Sequence, residues 1–385
     1  MIKIMVMKLC VFPNDPITAY YEKGEIKDRY YNPKNFFSEI HIISFTEKDI
    51  DEIKVQKIVG NAKLKIYSVG RINLLNKNSK KNKVLKIIKQ INPDVIRSYN
   101  ALLEGWIGAK CSQEYNIPFF VSLHVQYDTK RKFEKQRNYK KYLALKYYRK
   151  SIEPFVLKIA DKITIVYKII EPYVIEMCQK KPEILYNRIN LEKFQKRGKI
   201  FQYGKPTIIT VGRLTSRKNH DCLINAIKDL DVILLIIGDG EEYENLINLS
   251  NFLKLENRIK FIKSVNNDKI QDYYNSADLF VSMYNPSIEG IPIPVLEAMA
   301  SGLPVIVSKP IENLSDGLED SVIFSEIKPE SVKKEILRIL ENNNLKKELS
   351  QKALKKAKSF DGNNTEQREA EIYEELIKGK YLGDN

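Results

Sequence analysis

Short apolar runs rich in β-branched residues recur along the chain, and segments with apolar residues at helical spacing lie between them. The runs show little alternation of apolar and polar residues, which is typical of strands in a parallel sheet covered on both faces. In the first half the pattern predicts strands over Ile2–Met7, His41–Phe45, Lys65–Val69, Asp94–Ser98, Phe119–Leu123, Lys162–Val166 and Glu183–Tyr186. It predicts helices over Ser79–Ile91, Leu102–Tyr115, Phe133–Ile159 and Ile169–Cys178.

The same alternation begins again in the second half. Strands are predicted over Thr207–Val211, Val232–Ile237, Arg258–Ile262, Leu279–Ser282, Pro304–Ser308 and Val322–Phe324. The predicted helices are Asp221–Leu230, Glu241–Leu255, Lys269–Ala277, Pro294–Ala300, Ser331–Asn342, Leu345–Ser359 and Glu366–Ile377. Strands that alternate with helices in this way indicate an α/β fold in which two doubly wound, Rossmann-like domains follow one another.

The length of 385 residues also favours two domains, because a single hydrophobic core rarely serves so long a chain. We expect an N-terminal Rossmann-like domain over residues 1–190, a polar linker over 191–205 and a C-terminal Rossmann-like domain over 206–360. A C-terminal helix in 361–385 is expected to pack back towards the first domain. Parallel sheets bind ligands at the carboxyl ends of their strands, so we expect the two domains to face a central cleft.

Composition and cysteine spacing exclude several classes of protein. An apolar fraction of 43% and a charged fraction of 29% are ordinary for a globular protein and exclude a disordered chain. No apolar run approaches the ~20 residues that span a bilayer, and no signal-peptide cleavage site follows the first strand. The four cysteines are far apart, which excludes a disulfide scaffold and fits a cytoplasmic protein: Cys10, Cys111, Cys178 and Cys222.

The net charge of +15 is distributed unevenly. Residues 1–200 carry 40 basic and 20 acidic side chains, whereas residues 201–385 carry 24 and 29. This asymmetry indicates a polyanionic partner for the first half, or else a compositional bias towards lysine. Lys130–Lys150 has ten basic residues, one acid and interleaved tyrosines, so it is either a solvated helix or a peripheral contact with the inner face of an anionic cell membrane.

A basic loop follows the predicted strand Thr207–Val211 and precedes a predicted helix. Gly212 allows a tight exit from the strand, and Asn219 is a suitable N-cap for the helix. Arg213 and Lys218 would then lie beside a helix N-terminus, where two cations favour a diphosphate. The alternative is an ordinary basic surface loop.

Two glutamates lie eight residues apart farther along the chain. Glu289 is predicted on a loop and Glu297 inside the helix that follows, with Pro292 and Pro294 near the first turn, where a missing N–H costs little. We expect Glu297 to accept hydrogen bonds from vicinal hydroxyls such as those of a ribose. The alternative is a pair of solvated surface glutamates.

Together these segments resemble the retaining glycosyltransferases of family 4, also described as glycosyl transferases group 1, which have the GT-B fold. The resemblance covers nearly all of residues 180–385. Besides the basic loop and the two glutamates, it includes motifs that occur in the family's order: Tyr186–Asn190, Ile237–Gly240, Ser276–Val281 and Ala298–Pro304.

The resemblance implies roles for individual residues. Arg213 and Lys218 would hold the diphosphate of a nucleotide sugar, Glu297 would bind its ribose, and Lys263–Val265 would meet the base. Glu289 would lie at the donor sugar and its phosphates. The full set expected to bind the donor is Gly212, Arg213, Lys218, Gly290, Ile291 and Glu297.

The first half resembles the family less closely. His124 ends a predicted strand where the family often has a histidine near the transferred sugar, so the expected catalytic residues are Glu289, His124, Arg213 and Lys218. Arg97–Asn100 also ends a predicted strand and is expected to line the cleft. The loop Pro13–Tyr21 lacks the glycines that the family often has, and Pro292 stands where glycine is common.

The sequence therefore predicts a retaining hexosyltransferase that moves a sugar from a nucleotide diphosphate sugar to a hydroxyl of a glycan or lipid-linked acceptor, held by the first domain. The nucleotide sugar is a co-substrate; no other cofactor and no nucleic acid are expected. No segment has metal-ligand spacing, so we expect metal independence. The alternatives are a GT-B epimerase or inverting transferase, and a basic membrane- or nucleic-acid-binding protein with an inactive site.

Overall fold

A computed structural model describes residues 6–14, 16–18, 26–46, 50–195, 198–311 and 314–383. The chain divides into two units, one formed by Met1–Tyr186 with Thr365–Asn385 and the other by Asn187–Asn364. The segment 191–205, expected as a linker, belongs to the second unit in this division. There the Lys199 ammonium lies 2.8 Å from the Asp278 carboxylate.

The first unit contains a seven-stranded parallel sheet with the strand order β3-β2-β1-β4-β5-β6-β7. Its strands are β1 (Lys8–Phe12), β2 (Glu39–Ser44), β3 (Lys63–Ser68), β4 (Val95–Ser98), β5 (Phe119–Leu123), β6 (Lys162–Ile165) and β7 (Glu183–Ile184). Of the first predicted strand, Ile2–Met7, only the last two residues are described, and they precede the observed strand. Residues 2–5 lie outside the described part of the chain, and the strand begins at Lys8, where the buried run Leu9–Phe12 pairs with β2 and β4.

Helices cover both faces of this sheet. They are α1 (Glu52–Val55), α2 (Lys77–Ile91), α3 (Leu103–Tyr115), α4 (Tyr127–Arg137), α5 (Tyr139–Tyr147), α6 (Glu153–Ile159) and α7 (Glu171–Cys178). The single helix predicted over Phe133–Ile159 is wrong. Asn138 adopts an extended conformation and its side chain accepts a hydrogen bond from Lys141 N, so one helix ends and the next is capped there.

The second unit contains a six-stranded parallel sheet with the order β10-β9-β8-β11-β12-β13. Its strands are β8 (Thr207–Val211), β9 (Ile233–Ile237), β10 (Ile259–Ile262), β11 (Leu279–Ser282), β12 (Val305–Ser308) and β13 (Ile323–Ser325). Its helices are α8 (His220–Ala226), α9 (Tyr243–Phe252), α10 (Ile270–Ser276), α11 (Ile293–Ala300), α12 (Pro329–Leu340) and α13 (Asn343–Ala357). Every strand predicted for this half is present within one residue at each end.

The last helix, α14 (Gly362–Gly383), contributes to the core of the first unit. Ile372 and Tyr373 are fully buried there. The Tyr373 ring contacts Phe37 and Phe120 with centroid distances of 4.8 and 5.5 Å. None of the helices in the described residues is both long and apolar enough to cross a membrane.

Candidate active site

Two loops of the second unit leave the sheet from neighbouring strands. β8 and β11 pair with each other although β9 and β10 separate them in sequence, and the strand order reverses between them. Such a reversal is the usual ligand-binding position of a doubly wound sheet. Two hydrogen bonds join the loops: Asn219 Nδ2 donates to Met283 O at 2.7 Å, and Asn285 N donates to Arg217 O at 2.8 Å.

Asn219 stands at the predicted N-cap position, directly before α8. Asn219 adopts the left-handed conformation with φ of 46°, and its side chain makes no capping hydrogen bond to α8. Asparagine tolerates this conformation better than most residues. Its side-chain amide donates a hydrogen bond to Met283 O on the opposite loop. Asn219 therefore lies at the start of the helix, and its side chain helps to fix the position of the basic loop.

Glycines allow the basic loop to pack against the loop that follows β9. A Cβ at Gly238 would lie 1.9 Å from Gly212 O, and one at Gly240 would lie 2.2 Å from Leu214 O. Leu214 N donates to Asp239 O at 2.9 Å across the same contact. A Cβ at Gly212 itself would meet no atom within 4 Å, so the basic loop is supported on one side and borders open space at Gly212.

The structure brings two of the predicted catalytic residues together. Lys218 Nζ lies 2.8 Å from Glu289 Oε1, and both side chains are largely buried, with exposed fractions of 13% and 18%. Lys218 Nζ also lies 5.8 Å from the ring centroid of Tyr284. Arg213, on the same loop, is exposed and has no ion pair among the described residues. The loop thus presents one cation that is held in place, Lys218, and two that face solvent, Arg213 and Arg217.

Helix α11 begins directly after the Glu289 loop. Pro292 is its N-cap and Pro294 lies in its first turn, as the sequence predicts. Gly290 and Ile291 are buried immediately before it. Their N–H groups therefore lie close to a helix N-terminus, where partial positive charge favours an anion.

Glu297 on α11 is held by a residue that the sequence did not single out. Tyr274 of α10 is fully buried, and its hydroxyl donates to Glu297 Oε2 at 2.8 Å. Burial and the adjacent carboxylate raise the pKa of Tyr274 well above its usual value, so the phenol stays protonated and remains a donor. No spacing signal marks Tyr274, since a buried tyrosine in a helix is usually part of the core.

Lys193 is a second residue that the sequence did not single out. Its Nζ donates to Asn267 Oδ1 at 2.8 Å and lies 5.2 Å from the Phe194 ring centroid. Burial lowers the pKa of Lys193, while the nearby carboxylates of Glu297 and Asp268 oppose the shift. Because its segment has the composition of a polar linker, its place beside Glu297 could not be predicted from the sequence.

His124 lies in the first unit, directly after β5. Its ring centroid is 5.6 Å from that of Tyr99, and its Nε2 is buried with no hydrogen-bond partner among the described residues. Burial lowers the pKa of His124 to about 4, and the positive charges of Arg97 and Lys27 add to the effect. His124 is therefore neutral at neutral pH.

The expectation that Arg97–Asn100 lines an open site is wrong for the two end residues. Arg97 is 2% exposed; its Nη2 donates to Glu369 Oε1 at 3.2 Å, and its guanidinium lies 3.4 Å from the Phe120 ring centroid. Asn100 is equally buried and accepts a hydrogen bond from Leu102 N at 2.9 Å. Both residues therefore support the fold of the first unit.

Two arginines of the basic segment Lys130–Lys150 are engaged in ion pairs. Arg131 is buried and bridges Glu153 and Asp128, each at 2.6 Å, and Arg149 Nε donates to Asp128 at 2.7 Å. Carboxylates of the first unit thus neutralise part of the charge that the sequence assigns to the surface. Among the described residues, no group of three or more His, Cys, Asp or Glu side chains is placed to hold a metal ion.

Residues 192–356, which include both loops and both glutamates, match the family described as Glycosyl transferases group 1. The chain carries a group 1 glycosyltransferase domain. The expectation of a group 1 glycosyltransferase is thereby confirmed, and the match contains the switch-point loops described above.

Similar proteins support the same family. An uncharacterized glycosyltransferase of Methanocaldococcus jannaschii is 27% identical over 75% of this chain and 78% of that protein. Alpha-monoglucosyldiacylglycerol synthase of Streptococcus pneumoniae is 22% identical over 69% of this chain and 63% of its own length. The structure of Anabaena HepE in complex with UDP is 15% identical, covers 96% of this chain and 100% of its own, and superposes with a TM-score of 0.73. The α/β GT-B fold expected from the sequence is confirmed.

Proposed function

We propose that this glycosyltransferase moves a sugar from a nucleotide diphosphate sugar to a hydroxyl of a glycan or lipid-linked acceptor, with retention at the anomeric carbon. The observation that carries the proposal is the meeting of Lys218 and Glu289, 2.8 Å apart, on loops that leave the two strands flanking the switch point. This position suits an anionic ligand that also carries hydroxyl groups.

The donor diphosphate is assigned to the basic loop. Arg213 and Lys218 supply two cations, and the open space beside Gly212 leaves room for phosphate oxygens against the backbone. The N–H groups of Gly290 and Ile291 add partial positive charge at the start of α11. The HepE structure is a complex with UDP, which supports a nucleotide donor for a chain of the same fold.

The ribose is assigned to Glu297. A carboxylate offers about four lone-pair positions, so the bond from Tyr274 leaves capacity to accept from two vicinal hydroxyls. The Lys193 ammonium lies close enough to Glu297 for the two charges to attract each other, which helps to position this carboxylate.

For catalysis, charge that develops on the departing diphosphate is stabilised by Arg213, Lys218 and the start of α11. Glu289 is already paired with Lys218, so we propose that it orients the donor sugar rather than attacking it. Attack by the acceptor on the same face of the sugar would then give retention. His124, neutral and with an unpartnered Nε2 among the described residues, is proposed as a contact for a sugar hydroxyl.

A panel of UDP-, GDP- and ADP-sugars tests the proposed donor by thermal unfolding. A donor at about 100 times its dissociation constant stabilises the protein by about 2.7 kcal/mol. Stabilisation by one nucleotide class, followed by NMR assignment of a product with the donor's anomeric configuration, is the expected result. A product of inverted configuration, or an epimerised donor, would contradict the proposed retention. Binding of DNA without binding of any nucleotide sugar would contradict the proposed transferase activity.

Metal independence is proposed because two cations and a helix N-terminus can neutralise the diphosphate. Transfer is expected to continue in excess EDTA at an unchanged rate. Loss of transfer that Mg²⁺ or Mn²⁺ restores would contradict this part of the proposal.

We also propose that the first unit contacts an anionic membrane, consistent with 40 basic against 20 acidic side chains in residues 1–200. The Streptococcus relative is named as a synthase of a glucosylated diacylglycerol, which fits a lipid-linked acceptor. Sedimentation with phosphatidylglycerol vesicles should fall as salt rises, since screening shortens from about 14 Å at 0.05 M to about 4 Å at 0.5 M. Absence of binding at low salt would contradict the contact.

A further inference from the structure

Three large apolar side chains on α5 are exposed along one line. Tyr139, Leu143 and Tyr147 have exposed fractions of 61%, 48% and 43%. Residues four positions apart advance by about 40° around a helix, so the three side chains occupy an arc of about 80°. Leu145, on the opposite side of the helix, is buried against the first unit. The apolar stripe of α5, formed by these three exposed residues, therefore faces away from the unit's core.

Lysines border this stripe on both sides. By the same helical spacing Lys146 lies about 20° before Tyr139 and Lys140 about 20° beyond Tyr147, and both are exposed. Lys141, farther round the helix, is paired with Glu134 at 2.5 Å. The flanking cations Lys140 and Lys146 have no ion pair among the described residues, so they keep their charge available to an outside partner.

We infer that the apolar stripe of α5 inserts into the headgroup region of an anionic bilayer, with Lys140 and Lys146 at the phosphates. The inference deepens the proposed membrane contact and rests on it, because it names the surface that the contact uses. Tyrosine places its ring in the apolar layer and its hydroxyl at the wet boundary, and lysine stems extend to lipid phosphates. A protein partner would also cover an apolar stripe, but the two flanking lysines and the basic first half match an anionic surface.

The chain contains its own reporter for this insertion. Trp106 is the sole tryptophan in the sequence and lies on α3, half-buried. The Lys77 ammonium lies 4.9 Å from the Trp106 ring centroid and 5.7 Å from that of Tyr147. Trp106 is thus a near neighbour of one end of the stripe. Quenching of its fluorescence by brominated acyl chains therefore reports insertion of the stripe into the bilayer, without any added label.

The experiment uses the full chain and vesicles of phosphatidylcholine with about one third phosphatidylglycerol, with and without brominated acyl chains. The variants are Tyr139→Ser/Leu143→Ser/Tyr147→Ser and Lys140→Ser/Lys146→Ser. Phe252→Ser is the matched control, because Phe252 is 83% exposed on the second unit. Affinity for UDP, GDP and ADP is measured on every variant.

We expect Trp106 to be quenched when wild type binds, and the triple variant to bind vesicles about tenfold more weakly, without quenching. The lysine variant should lose the salt-sensitive part of binding, and the control should behave as wild type. Nucleotide affinity should be the same throughout. Salt-sensitive binding with no quenching in wild type, or full binding by the triple variant, would overturn the inference while the electrostatic contact stands. Wild type that binds no vesicles would overturn both.

Discussion

At the scale of single side chains, the proposed donor site depends on how two carboxylates are held. Lys218 holds Glu289 by an ion pair of 2.8 Å, and Tyr274 holds Glu297 by a hydrogen bond of the same length. The spacing of the glutamates and the presence of the lysine were predictable from the sequence. Tyr274 was not, because its role depends on α10 and α11 packing side by side, which no local pattern encodes.

Removing the Tyr274 hydroxyl should weaken nucleotide binding only by weakening the contact between Glu297 and the ribose hydroxyls. In Tyr274→Phe the Glu297 side chain loses a hydrogen bond worth about 1 kcal/mol, so we expect about fivefold weaker binding of the diphosphate that wild type prefers. Calorimetric titration with the matching 2′,3′-dideoxynucleotide should show no change. Equal losses for both ligands would mean that Tyr274 acts through folding, and Tyr273→Phe on the same helix provides the control.

Two of the three histidines should make the fold sensitive to acid. Burial lowers the pKa of His124 and that of His220 to about 4, while an unfolded chain titrates near 6.5. Between these values the unfolded state binds more protons, so the free energy of unfolding should fall as pH drops from about 6.5 to 4. Urea unfolding across this range should reveal a shallower decline in His124→Asn/His220→Asn. An identical slope in the variant would argue against buried neutral histidines.

At the scale of elements, most strands and helices follow directly from the apolar pattern, because fully buried parallel strands are continuous apolar runs. The exceptions have local physical causes. Asn138 ends one helix and caps the next, where the pattern of the charge-rich segment 133–159 predicts a single helix. Asn219 stands at its predicted N-cap position, but its side-chain amide bonds to the opposing loop and not to the helix. An asparagine in the sequence indicates the boundary of a helix, but tertiary contacts decide whether its side chain caps the helix or bonds to another loop.

The loops that follow β8 and β9 pack so closely that adding a single methyl group between them should disturb both loops. In Gly240→Ala the new Cβ would lie 2.2 Å from Leu214 O, so the backbone that carries Arg213 must shift. We expect a loss of about 1–3 kcal/mol in stability, together with weaker diphosphate binding. Gly198→Ala is the control, because a Cβ there meets nothing within 4 Å. Crystallographic or calorimetric data showing an undisturbed loop would refute this packing argument.

At the scale of the whole molecule, the chain's last helix completes the core of the first unit. The sequence indicates a closing helix, but it does not reveal that Arg97 would turn inward to meet Glu369 on that helix. An arginine at a strand end is ordinarily a candidate for ligand binding. Its burial between the Tyr99 and Phe120 rings follows from a contact 272 residues away, beyond the reach of local pattern.

Breaking this buried pair should destabilise the first unit strongly. Glu369→Gln leaves the Arg97 guanidinium buried without its countercharge, for which we expect a loss of about 3–5 kcal/mol in the free energy of unfolding. The exposed pair of Glu374 and Lys378 supplies the control, and Glu374→Gln should cost less than about 0.5 kcal/mol. Chemical denaturation compares them, and similar losses in the two variants would contradict the assigned role of the Arg97 pair.

The central claim is that the loop after β8 binds the diphosphate of the donor. Its most direct test is calorimetric titration of Arg213→Ala with the preferred nucleoside diphosphate and with the corresponding nucleoside. Arg213 is exposed, so its loss should leave the fold intact, and Arg217→Ala on the same loop is the control. We predict about tenfold weaker binding of the diphosphate, unchanged binding of the nucleoside, and a control that matches wild type. Unchanged diphosphate affinity in Arg213→Ala would contradict the account.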